Sequence, residues 1–127
     1  MTVVAGTIHS VDTLVSRAVS ELQVARVQFT VAGTYAQGDD GILSAVPTLI
    51  QSSRRNGKTV TMRDVMLGTP GTRTDTGAVL TLKTVAISSA NITFEIATSD
   101  YSTEFTDATA VPTMNRPFEI LVAFTEA

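Results

Sequence analysis

Phe118-Glu119-Ile120-Leu121-Val122-Ala123-Phe124-Thr125 is the stretch on which the fold turns. Phe118, Ile120, Val122 and Phe124 recur at every second position, with Glu119 and Thr125 on the opposite face. Period two sends successive side chains to opposite sides of an extended chain, and branched or aromatic groups suit a pleated surface, so the segment reads as a half-buried strand. Two more runs repeat the pattern. Val27, Phe29 and Val31 alternate with Gln28, Thr30 and Ala32, and Ile92, Phe94 and Ile96 alternate with Thr93, Glu95 and Ala97.

Outward from these three strands the pattern bends. From Lys58 to Leu67, Val60 and Met62 share one face, then Val65 and Leu67 take it up across Arg63-Asp64, the signature of a β-bulge. Leu80 and Leu82 likewise stand in one register and Val85 and Ile87 in the other, which predicts a bent strand or one buried on both faces. Ser88-Ser89-Ala90-Asn91 then reads as a hairpin turn into the Ile92 strand. Two stretches break the β pattern. Ile8, Val11, Leu14, Val15, Ala18, Val19 and Leu22 fit one face of a helix, while their branched side chains favour an extended arm; both alternatives stay open. Leu43 to Arg55 predicts a short helix, with Ser44 as N-cap, Pro47 in the first turn and Asn56-Gly57 as the stop. Segments 34–41, 68–77 and 98–115 read as loops, the last two long and polar.

Composition limits the function. The chain has 127 residues, of which 21 Thr, 15 Val and 7 Ile are β-branched, with no Cys, no Trp, one His and two Lys. That length predicts one domain over residues 1–127, with 1–23 as arm or helix and 24–127 as β core. Without Cys there is no disulfide framework, thiolate metal site or cysteine nucleophile. A formal net charge of −3 and 6% aromatic residues argue against holding nucleic acid by phosphate neutralisation or base stacking. No run reaches the roughly 18 apolar residues of a membrane span, and the first residues lack a basic leader. The expectation is a soluble, unexported protein.

His9 is the one conventional general base, and no Gly-x-Ser-x-Gly elbow or marked acid accompanies it, so catalysis is not expected. Gly38-Asp39-Asp40-Gly41 could offer Asp39 and Asp40 to a hard cation such as calcium, but its spacing is not that of an EF-hand and Asp and Gly are what a tight turn selects. No cofactor or metal is expected. Arg54, Arg55, Lys58 and Arg63 bring four of the nine basic residues into ten positions. A strand rather than a helix follows Lys58, which excludes a phosphate loop. Glu95, Asp100, Glu104, Asp107, Glu119 and Glu126 give the C-terminal part the opposite sign. These charges read either as a solvated surface or as a basic edge of one copy meeting an acidic edge of another copy, or of a partner, and the second reading makes Arg54, Arg55, Lys58, Arg63, Asp39 and Asp40 the candidate contact residues.

Arg26-Val27-Gln28-Phe29-Thr30-Val31, then Thr34-Tyr35-Ala36-Gln37-Gly38-Asp39, Ala45-Val46-Pro47, Asn56-Gly57-Lys58-Thr59-Val60-Thr61 and Asp64-Val65-Met66, closing on Pro117 to Glu126, resembles small structural proteins of tailed-bacteriophage head modules. The resemblance spans roughly residues 20 to 127 and is one of pattern. It implies a capsid decoration, or cement, protein: a dimer or trimer that binds the major capsid protein outside the expanded head and clamps neighbouring subunits. It also implies a compact β fold with an arm, here Met1 to about Gln23, and localisation on the virion exterior after synthesis in the host cytoplasm.

The whole reading is therefore a mainly β chain, an antiparallel jelly-roll-like β-sandwich with one or two short helices. Its function is structural rather than enzymatic, without direct nucleic-acid or membrane contact. The alternatives are a head–tail joining or tail component, and a carbohydrate- or cell-surface-binding module, which exposed Tyr35 and Tyr101 beside Asp39-Asp40 would favour.

Overall fold

The computed structural model describes residues 5–13, 22–35, 41–74, 77–98, 105, 109–111 and 113–127. Two alternating runs lie side by side in it. β2 (Gln23–Ala32) buries Ala25, Val27, Phe29 and Val31, and β11 (Phe118–Glu126) buries Phe118, Ile120, Val122 and Phe124. The strands pair antiparallel, Phe118 with Phe29, Ile120 with Val27 and Val122 with Ala25, so both apolar sets fall on one face.

Further strands extend both sides. β1 (Ala5–Thr13) pairs antiparallel with β2, and β5 (Val60–Leu67) with β11. β4 (Gly41–Leu43) lies parallel to β1 through Ala5 and Ile42 and antiparallel to β8 (Asn91–Ala97). β7 (Val79–Ser88) forms the expected hairpin with β8, with Ser89 at a positive φ of 58° in the turn. β6 (Gly71–Arg73) and β10 (Met114–Arg116) complete the order β10-β6-β7-β8-β4-β1-β2-β11-β5, while β3 (Thr34–Tyr35) and β9 (Thr109–Ala110) make a separate pair. The result is a mainly β fold built on a large, curled, mixed sheet, a half-barrel. Its curl is visible in the core: β4 and β1 separate β8 from β2, yet the rings of Phe94 and Phe29 lie 5.3 Å apart, and Phe118 stands 5.4 Å from Phe29. β5 packs against β7 across the mouth of the curl.

Bulges supply much of this curvature, since an extra residue on one strand bends it and raises its twist. The ladder steps from Met62 to Asp64 against Phe124 and Ala123, leaving Arg63 as the extra residue where the register switch predicted it. Lys83 is extra in β7, which explains the bent register of Leu80-Leu82 and Val85-Ile87. His9 is extra in β1 and Asn115 in β10.

One helix, α1 (Val46–Arg54), occurs among the described residues and buries Val46 and Ile50 in the core. Its N-cap is Ala45, in left-handed backbone with no side-chain cap, and not Ser44. Arg55, also left-handed, ends it, donating its N–H to the Gln51 carbonyl. The helical reading of Ile8 to Leu22 is corrected over residues 8–13, which lie in β1 inside the sheet; an arm is not what those residues form either, and 1–4 and 14–21 lie outside the described residues. Three expected loops contain short strands: β3 and the start of β4 in 34–41, β6 in 68–77, and β9 with the start of β10 in 98–115. The sheet is mixed rather than wholly antiparallel, because of the β1–β4 pairing.

Candidate functional site

The outer face of the sheet follows from the same alternation. With Ala25, Val27 and Phe29 turned inward, Val24, Arg26, Gln28 and Thr30 of β2 turn out, beside Glu119, Leu121, Ala123 and Thr125 of β11. One border of this face is polar. Asp12 and Arg26 approach to 3.3 Å, Arg26 and Glu119 to 3.7 Å, Gln28 donates to Glu119 Oε2 over 3.2 Å, and Ser10 donates to Gln28 Oε1 over 2.8 Å. The far border carries Asp64 and Arg63, whose Nε donates to Thr125 Oγ1 over 3.0 Å. Between them the register sets Arg26, Leu121 and Met66 in one row across three strands, and Val24, Ala123 and Asp64 in the next. Met66 is 44% exposed and Leu22, two residues before Val24, is 57% exposed, while Val24 and Leu121 between them are half-buried and Ala123 is buried. An apolar strip inside a polar rim is the anatomy of a protein contact surface.

The basic run around α1 divides in two. Arg54 turns to Glu126: its Nη2 donates to Oε1 over 2.9 Å and its Nε lies 3.2 Å from Oε2. Asn56 Nδ2 donates to Oε2 over 2.7 Å and Gln23 Nε2 to Oε1 over 2.5 Å. The Glu126 side chain is fully buried. The hydrogen bond from Arg54 holds its carboxyl at about 2, below the ordinary 4.5, with Asn56 and Gln23 adding to the effect against the opposing cost of burial. This clasp ties the end of α1 and the turn after it to the ends of β2 and β11. Thr59 and Ala127 add two reciprocal backbone hydrogen bonds beside it.

Arg54 thus has an internal partner, and the opposite charges of Arg54 and Glu126 meet within one chain. Arg55, Lys58 and Arg63 are exposed. Asp39 and Asp40 lie outside the described residues, as do Asp100, Glu104 and Asp107. Sequence reasoning passed over Gln23 and Asn56. The available signal was parity: Gln23 continues the inward series of Ala25, Val27 and Phe29, and Glu126 that of Ile120, Val122 and Phe124.

His9 sits on its bulge with Nε2 2.6 Å from Thr30 Oγ1, beside an open hollow of about 280 Å³ lined by Ile8, Val11, Leu49, Ser52 and Ser53. No cluster of three or more His, Cys, Asp or Glu able to hold a metal occurs among the described residues, and none of their helices is long and apolar enough to cross a membrane. Tyr35 is fully buried, its hydroxyl accepting the Ile96 N–H over 3.2 Å and its ring edge-on to Phe105. It cannot serve as a sugar platform, which weakens the carbohydrate alternative; Tyr101 lies outside the described residues. No family model, curated protein or solved structure matches the chain.

Proposed function

We propose that the chain is a virion structural protein, a decoration or cement protein that binds the major capsid protein on the outside of a tailed-phage head. The observation that carries this reading is the outer strip of Leu22, Val24, Leu121 and Met66 between two polar borders, exposed at Leu22 and Met66 and half-buried between them. Such a surface suits repeated, non-catalytic contact, and many identical copies on a shell convert modest single contacts into tight attachment. The pattern resemblance to phage head proteins points the same way. In this reading the protein acts as a dimer or trimer, needs no cofactor and touches neither nucleic acid nor membrane. The curled sheet is then an opened relative of the jelly-roll sandwich.

Cosedimentation of the purified protein with expanded and unexpanded capsids lacking it tests the proposal. Saturable binding to expanded shells is expected, weakened at least tenfold by Leu121→Lys, which sets a charge in the centre of the strip. Absence of binding to either shell overturns the reading. Binding to tails or portal rings alone replaces it with the head–tail alternative.

A further inference from the structure

Asn56-Gly57 lies between α1 and β5, and three observations meet there. Asn56 is exposed, and Gly57, at a φ of 72°, is exposed with nothing within 4 Å of the place a Cβ would take. The Asn56 carboxamide is part of the clasp, its Nδ2 donating to Glu126 Oε2 over 2.7 Å while its Oδ1 accepts the Lys58 N–H over 3.1 Å. The following residue carries no side chain. In peptides, the main obstacle to attack of a backbone nitrogen on the preceding asparagine side chain is the bulk of the residue supplying that nitrogen. Glycine removes it.

We propose that Asn56 is a site of spontaneous deamidation, and that its conversion to aspartate or isoaspartate unlatches the Arg54–Glu126 clasp. The Gly57 nitrogen, its proton lost to solvent base, adds to Cγ of Asn56. The bond from Cγ to the carboxamide nitrogen breaks and ammonia leaves, giving a five-membered succinimide. Water then opens the ring at either carbonyl, to aspartate or to isoaspartate. The net change consumes one water, releases one ammonia and involves no oxidant or reductant. A donor facing Glu126 becomes a carboxylate oxygen, so two anions press on a site that Arg54 neutralises, and like charges so close cannot both stay ionised cheaply. Isoaspartate also lengthens the backbone by one carbon, carrying the turn away from its hydrogen bonds. The two bonds on the carboxamide restrain the reaction in the folded state, so it runs slower than in a short peptide of residues 53–60.

The chain holds its own controls, because Asn91 precedes Ile92 and Asn115 precedes Arg116. The full-length protein is incubated in warm, mildly alkaline buffer, the more acidic species is separated by anion exchange, and its peptides are mapped for isoaspartate. Conversion is expected at Asn56 and not at Asn91 or Asn115, and the converted fraction is expected to melt several degrees below the parent. Asn56→Asp should reproduce the lower melting temperature, whereas Asn56→Ser, which adds no charge, should melt above it. No conversion at Asn56 while the short peptide converts, or equal conversion at all three asparagines, overturns the site. Conversion with an unchanged melting temperature overturns the unlatching.

Discussion

Ala45 enters α1 at φ 56° and ψ 33° with no side-chain cap. In that backbone an L-residue's Cβ crowds the next carbonyl, at a cost of roughly 1–2 kcal/mol, whereas glycine adopts it freely and is also a better N-cap than alanine. Ala45→Gly should therefore raise stability by about 0.5–1 kcal/mol after the added freedom of the unfolded chain is subtracted, read as a higher midpoint in urea. Glu126 behaves in the opposite sense. Its folded carboxyl titrates at about 2 against an ordinary 4.5, so its contribution is complete above that ordinary value and fades as pH falls from 4.5 toward 2. Glu126→Gln should cost about 2–4 kcal/mol near neutral pH, because the ion pair with Arg54 in a mostly buried site is lost. Urea unfolding at a series of pH values should show the gap between the two proteins narrowing as the solution is acidified through that window.

Among the elements, the bulges decide both what the strands do and what could be read in advance. β2, β8 and β11 were legible because nothing interrupts their period of two. β5 and β7 were legible as interrupted strands, since Arg63 and Lys83 each shift the apolar series by one. The same device hid β1. The bulge at His9 leaves Ile8, opposite Phe29, and Val11, opposite Val27, on one face three residues apart, and a spacing of three is what a helix also produces. β6, β9 and β10, at two or three residues, are too short to show any period. Bulge residues also differ from ladder residues in how dispensable they are. Removal of Lys83 leaves Leu80, Leu82, Val85 and Ile87 in plain alternation, so the deletion should fold and lose about 1–2 kcal/mol with the local twist. Removal of Thr93 from the unbroken β8 turns half that strand over and should abolish folding; circular dichroism and urea titration of the two deletions separate these outcomes.

At the scale of the whole molecule, the curl gathers the apolar faces into one cluster, and Phe29 is where its halves touch. Phe29→Ala should cost about 3–5 kcal/mol by calorimetry or urea melt, because the cavity would open between Phe94 and Phe118, on strands that curvature alone brings together. This level of organisation was the least legible. Alternation shows which face of a strand is inward but not how strongly the sheet bends. The meeting of Arg54 with Glu126 depends on α1 packing against β1 and β5, which brings its last turn to the end of β11. Both charges were visible as charges, and their pairing was not.

The pairing of β2 with β11 also has a kinetic meaning. β2 and β11 stand side by side in the sheet but are separated by most of the chain, so their contact forms only after a long loop has closed, an entropic cost met before any of the burial it permits. Proteins built on such non-local pairing fold in roughly milliseconds to seconds, not microseconds. Until β11 arrives, one edge of β2 presents Val27-Gln28-Phe29-Thr30-Val31 with unpaired backbone groups, a segment without proline, glycine or charge. A newly made chain is therefore most prone to join another by that edge, and the concentration at which it is produced becomes a determinant of how much of it reaches the folded state.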